Sequence, residues 1–252
     1  MNSFELEIRG PCPSRPAEGD PGHPFRADLR KFYRIFCRTE SPTASERLRL
    51  WMTHFGLHCV AVYRLERYAR RVASGSPWLG LPLVASARLL GHALELVHHV
   101  RIYADIGPGF FIGHAGMIFI GPTVIGRNFS VTHNVTIGLG HSEAARGYPV
   151  IGDDVWVGTG SVISGAIRVG DGATVANGTM LSRSVPPRSL SAGNPGRVVL
   201  QGYDNSSLLG ARGAGEPPAG QDAEPIAAGR ESGGDVDDGG GLVRAGAGGT
   251  VP

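Results

Sequence analysis

Cysteine is scarce. Only Cys12, Cys37 and Cys59 occur in 252 residues. They are widely spaced and form no C-x-x-C pair, so neither a disulfide framework nor a zinc site is indicated. Net charge is equally slight. The 24 Lys and Arg against 22 Asp and Glu leave +2, which gives no electrostatic argument for nucleic acid or anionic lipid. The arginine-rich stretch "RLERYARR" (64–71) reads as a solvated helix face.

The opening "MNSFELEIRGPCPSRP" has acidic residues and no apolar stretch, unlike a signal peptide. Long uninterrupted hydrophobic runs are also missing. The nearest, "WLGLPLVASARLLGHALELV", is broken by Pro82, Arg88, His92 and Glu95. Charge at a bilayer centre is costly, so a packed helix is expected and no membrane span. The location these absences imply is cytoplasmic.

Glycine, by contrast, is abundant: 39 residues, against roughly 7% in an average protein. Residues 1–25, rich in Pro and Gly, are expected to be disordered or irregular. From 26 to 98 the pattern is helical. Leu29, Phe32, Tyr33 and Phe36 share one face, and Thr43 with Glu46 forms a capping box ahead of "ERLRLWMTHF". A third helix carries Val60, Tyr63, Leu65, Tyr68 and Val72, and a fourth runs from about Leu83 to Val97.

Near Val100 the period changes to six. Ile106, Ile112 and Ile118 lead, then Ile125, Val131 and Ile137 after a one-residue slip. Beyond the loop "GLGHSEAARGYP" come Ile151, Val157, Ile163, Val169, Val175 and Leu181. A six-residue period fits neither an α-helix nor simple strand alternation. It is the signature of a parallel β-helix, in which each hexad is one flat side with its aliphatic residue inward. Small residues beside it let the chain turn the corner. The β-helix is assigned to 99–203, and "SVPPRSLSAGNPGRVV" closes it. Residues 204–252 are too poor in large apolar side chains to offset their ordering entropy, so disorder is expected there.

The helices followed by "IGHAGMIFIG", "VIGDDVWVGTGSVISG" and the closing "SAGNPGRVV" resemble the serine acetyltransferase branch of the hexapeptide acyltransferases. The resemblance implies a left-handed β-helix that transfers acetyl from acetyl-CoA, a co-substrate rather than a bound cofactor, to the hydroxyl of L-serine. It implies His114 as the general base, a role suited to an imidazole at cellular pH. No Ser or Cys motif suggests a covalent intermediate, so direct attack in a ternary complex is expected. The family's two dyad aspartates align with Gly113 and His99, and its second loop histidine aligns with Tyr148. Asp105 is nearby in sequence, which on a β-helix does not establish contact; His99, Asp105 and Tyr148 are the acceptor-side candidates.

For acetyl-CoA the resemblance points to Gly138, Thr159, Gly160 and Asn177, with Arg197 either near the nucleotide end or a solvated charge. His133 reads as a stacking or surface residue, with a place facing the same groove as the alternative. His98 and His99 form a pair without a third ligand, so no metal is expected. The loop at 138–149 either completes the site or is a solvent-facing excursion. A homotrimer is implied, with a dimer of trimers as a further possibility. The terminal "GGTVP" lacks the isoleucine with which relatives dock a partner enzyme, so no such complex is expected. Two alternatives remain: a sugar hydroxyl as acceptor, or a catalytically silent scaffold.

Overall fold

The computed structural model describes residues 24–140 and 146–210. Four helices come first: α1 (Pro24–Phe32), α2 (Ala44–Thr53), α3 (Phe55–Gly75) and α4 (Pro77–His98). A wider π-type turn, Tyr33–Cys37, extends α1 and ends at Arg38 in the left-handed region (φ 55°). The capping box at α2 is present: the Thr43 hydroxyl accepts from the Glu46 amide, and the Glu46 carboxylate accepts from the Thr43 amide. Two orphan donors of the first turn are thereby satisfied.

Among the described residues fifteen short strands follow and wind into coils with three flat sides. The first coil is β1 (Val100–Ile102), β2 (Asp105–Ile106) and β3 (Phe111–Ile112); the second is β4 (Ile118–Ile120), β5 (Val124–Ile125) and β6 (Ser130–Val131). The third is β7 (Thr136–Gly138), β8 (Val150–Ile151) and β9 (Trp156–Val157); the fourth is β10 (Val162–Ser164), β11 (Arg168–Val169) and β12 (Thr174–Val175). The last holds β13 (Met180–Leu181) and β14 (Ser189–Ala192), on which β15 (Arg197–Gln201) folds back antiparallel. Every other pairing is parallel, giving three sheets. This is the parallel β-helix expected from the hexads, left-handed as the family resemblance implies.

Each hexad aliphatic residue named above is buried. The slip resolves in one place: Ile120, not Ile118, pairs with Ile137 at the centre of the first sheet. Ile118 stays buried two residues earlier, as does Val135 two residues before Ile137. The extra residue is absorbed without moving an aliphatic side chain outward.

Helices α1 and α3 cover the first coil. Phe32 and Phe36 stack against Phe111 with centroids 4.7 and 5.9 Å away. Gly56 lies so close to the first coil that a Cβ would sit 2.1 Å from the Ile112 carbonyl oxygen. Beneath, the buried Asp28 accepts from Arg64 (2.7 Å) and from the amides of Gly109 and Phe110 (both 2.8 Å). Arg64 also donates to the carbonyls of Ile106 and Gly107. Such a pair tolerates burial because hydrogen bonds satisfy both ions.

Helix α4 departs from the packed helix expected. It touches α3 along a narrow face where only Gly80 and Ala87 are buried. Trp78, Leu79, Leu89 and Leu96 are exposed. By length and composition alone α4 could cross a membrane, with 11% of its most apolar window buried. The boundary expected at 204 also moves: Asn205 donates to the Asp154 carbonyl, Leu209 is buried, and Gly210 packs on Ile35. The expectations for 1–23, for 211–252 and for the loop centre at 141–145 lie outside the described residues.

Candidate active site

His114 sits on the corner that carries the chain from β3 to β4, and it is exposed. Gly113 and Ala115 flank it. The turn is held by Gly113 N donating to Val131 O (2.9 Å) and Met117 N donating to His98 O (3.0 Å). This corner and the one above it in each later coil turn with one left-handed residue. These are Met117 (φ 51°), Asn134 (φ 55°), Gly160 (φ 73°) and Gly178 (φ 71°), and His99 (φ 53°) begins the column at the end of α4. Backbone bonds from Asn134 to Gly116, from Gly160 to His133 and from Gly178 to Thr159 tie the corners into one edge.

Among the residues singled out from sequence, His114, Thr159, Gly160 and Asn177 thus share this edge, with His99 at its base. His133 joins them: its ring meets that of His114 edge to face, centroids 5.9 Å apart. The Thr159 amide is already engaged by Asn177 Oδ1 (3.0 Å), and its hydroxyl bonds the Thr132 hydroxyl (3.0 Å). The Thr159 side of the edge is therefore fixed in place by the coils above and below it.

Asp105, Gly138 and Tyr148 stand elsewhere. They occupy the corner between the first and second sheets, where the 138–149 loop leaves. Asp105 is paired with Arg67 of α3 (2.6 Å). Within one chain Asp105 and His114 lie on different edges of the prism, so proximity in sequence does not bring them into contact. Tyr148 lies over Gly121, where a Cβ would be 2.6 Å from Tyr148 Cε1. Arg197 is exposed on β15, at the margin of the third sheet.

One neighbour of the site was not legible from sequence. His54, at the junction of α2 and α3, stacks on Phe36 with centroids 3.7 Å apart. Its pKa is lowered, chiefly by burial and then by the charges of His114 and Arg49. Only its place within the expected helix "ERLRLWMTHF" hinted at it. Among the described residues no group of three His, Cys, Asp or Glu side chains could hold a metal ion.

What this edge can do chemically follows from its parts. An exposed imidazole on a corner of small residues can take a proton from a hydroxyl brought beside it. The open strip of coil corners above it can seat an extended arm of a second reactant.

Hexapeptide coils with such a corner histidine define a class, the hexapeptide-repeat transferases. The model of the bacterial transferase hexapeptide family (six repeats) matches residues 148–183. Serine acetyltransferase of Bacillus pumilus is 33% identical over 167 residues, covering 64% of this chain and 72% of that protein. That of Bacillus subtilis is 32% identical with the same coverage. Among solved structures, the Neisseria gonorrhoeae serine acetyltransferase in complex with serine superposes with TM-score 0.54 at 27% identity, covering 70% of this chain and 67% of that one. The soybean serine acetyltransferase apoenzyme gives TM-score 0.52 at 32% identity, covering 69% and 66%. The chain belongs to the serine acetyltransferase family.

Proposed function

We propose that this protein is a serine O-acetyltransferase: L-serine and acetyl-CoA give O-acetylserine and CoA, a step toward cysteine. The observation that carries this reading is His114, exposed on a corner lined by Gly113 and Ala115, in a chain of this family. The serine hydroxyl attacks the thioester carbon directly while His114 takes its proton. Backbone amides stabilise the oxyanion. Collapse expels the CoA thiolate, which receives the proton from the His114 imidazolium, so no acetyl-enzyme forms.

Acetyl-CoA lies along the edge of Thr159, Gly160 and Asn177. Because Gly138, Tyr148 and Asp105 stand on another edge, a site that uses both sets takes one edge from each of two copies. A cyclic trimer closes this arrangement three times. The exposed apolar side of α4 supplies the surface for joining two trimers. The protein works in the cytoplasm, without a permanently bound cofactor.

A second reading rests on one observation: Gly113, His99 and Tyr148 occupy positions where the family resemblance puts groups that hold the amino acid. It keeps the chemistry and makes a sugar hydroxyl the acceptor. Thiol release from acetyl-CoA, measured with and without millimolar L-serine and then with a panel of sugars, separates the two. Serine-independent rates would reject the serine assignment. Light scattering tests the trimer, and a monomeric mass at micromolar concentration would reject it.

A further inference from the structure

A cleft of about 370 Å³ opens between α3, α4 and β1, and it shares no residue with the edge that carries His114. Its floor is apolar: Cys59, Val62, Leu94, Val100 and Ile102 line it. Burial pushes the Cys59 thiol up to about 11, so the sulfur stays protonated. The Tyr63 hydroxyl beside the floor is occupied, donating to the Ala104 carbonyl and accepting from the Ile106 amide.

The rim is charged. Glu66 pairs with Arg70 (3.3 Å), and Glu95 pairs with Arg101 and approaches His92 Nδ1 (3.5 Å). Both rim carboxylates therefore have their arginine. Arg88, also on the rim, has no ion pair or hydrogen bond among the described residues. Gly91 lets the Glu66 carboxylate lie against α4 at the rim: a Cβ there would stand 2.6 Å from Glu66 Oε1 and 3.8 Å from Val62 Cγ1.

We infer that this cleft is a second binding site, for a small monocarboxylate with a short apolar tail. Its carboxylate sits on Arg88, whose planar fork matches that group, and its tail lies on the Val62 and Leu94 floor. With Glu66 and Glu95 already matched by Arg70 and Arg101, the one unpaired cation balances a single negative charge and leaves a dianion such as phosphate half uncompensated. The volume is at the small end of the range for small-molecule sites, about 300–1,000 Å³.

The test is isothermal titration of the full chain with sodium hexanoate, and separately with inorganic phosphate. Hexanoate binds the wild-type chain with a millimolar Kd, and phosphate gives no heat. Arg88→Gln weakens hexanoate about tenfold or more, Arg88→Lys weakens it less, and Gly91→Leu, which fills the cleft, abolishes it. Circular dichroism shows all three variants folded. No binding up to about 20 mM hexanoate, equal affinity in Arg88→Gln, or phosphate binding tighter than hexanoate each overturns the site. The readout is binding, so it stands or falls separately from the choice of acetyl acceptor.

Discussion

The rings of His114 and His133 meet edge to face across adjacent coils, with centroids 5.9 Å apart and planes at 78°. His133 thereby stands between the candidate base and the Thr159 corner above it. With that ring beside it, and His54 approaching from the helices, His114 has imidazoles rather than carboxylates for near neighbours among its described contacts.

His114→Ala is expected to lower turnover about 10²–10⁴-fold, the usual worth of a general base. The side chain is exposed, so the melting temperature and assembly mass stay at wild-type values. A rate within twofold of wild type would remove the role of base.

Gly113→Asp tests what a carboxylate beside the base adds. A Cβ at 113 meets nothing nearer than Phe111 Cε1 at 3.5 Å, an ordinary contact. The variant should fold normally. Stabilising the imidazolium that forms during attack is worth about 0.2–1 kcal/mol for an exposed pair, so turnover rises up to about fivefold. Steady-state kinetics at saturating acetyl-CoA decide it, and a fall in kcat would contradict the argument.

Arg64→Ala leaves Asp28 buried with its partner gone, and the first coil loses two carbonyl contacts. Breaking one side of a buried pair costs about 3–5 kcal/mol. Urea unfolding followed by circular dichroism should show a midpoint well below wild type. A loss under about 1 kcal/mol would mean the pair is solvated in solution.

Lys31 is fully buried and donates to the carbonyls of Gly109 (3.2 Å), Asn128 (2.8 Å) and Phe129 (3.5 Å). Burial nevertheless lowers its pKa from 10.5 to about 7, with Asp154 opposing the shift. The folded value lies below the unfolded one, so between those two pH values the unfolded chain binds more protons and stability rises with pH. Below pH 7 the cost of burying the charge is fully present. Lys31→Met lacks this dependence, so the stability of wild type relative to the variant should climb between about pH 7 and about pH 10. Parallel curves across that range would show the ammonium retaining its charge in the fold.

Much of the β-helix was readable because its rule is local. An aliphatic residue every six positions, followed by a small one, describes a single flat side, and stacking such sides buries them all. The Ile118 to Ile120 exchange was not readable, since either residue satisfies the period and only pairing with Ile137 chooses between them. The exposure of α4 was not readable for a related reason: apolar composition says that a surface seeks cover, not which molecule covers it.

The sequence by itself determined the coil, the capping box that opens α2, and the histidine on its small-residue corner, all of which depend on residues a few positions apart. Tertiary structure alone decided which edge each candidate occupies. It gave Asp105 to Arg67, brought His54 toward His114, and buried Lys31 on a carbonyl 98 residues away. Those relations join a helix face to a coil corner, and no local period encodes how two such surfaces dock. They are settled by the packing of α1 and α3 on the first coil, where shape and buried charge have to agree at once.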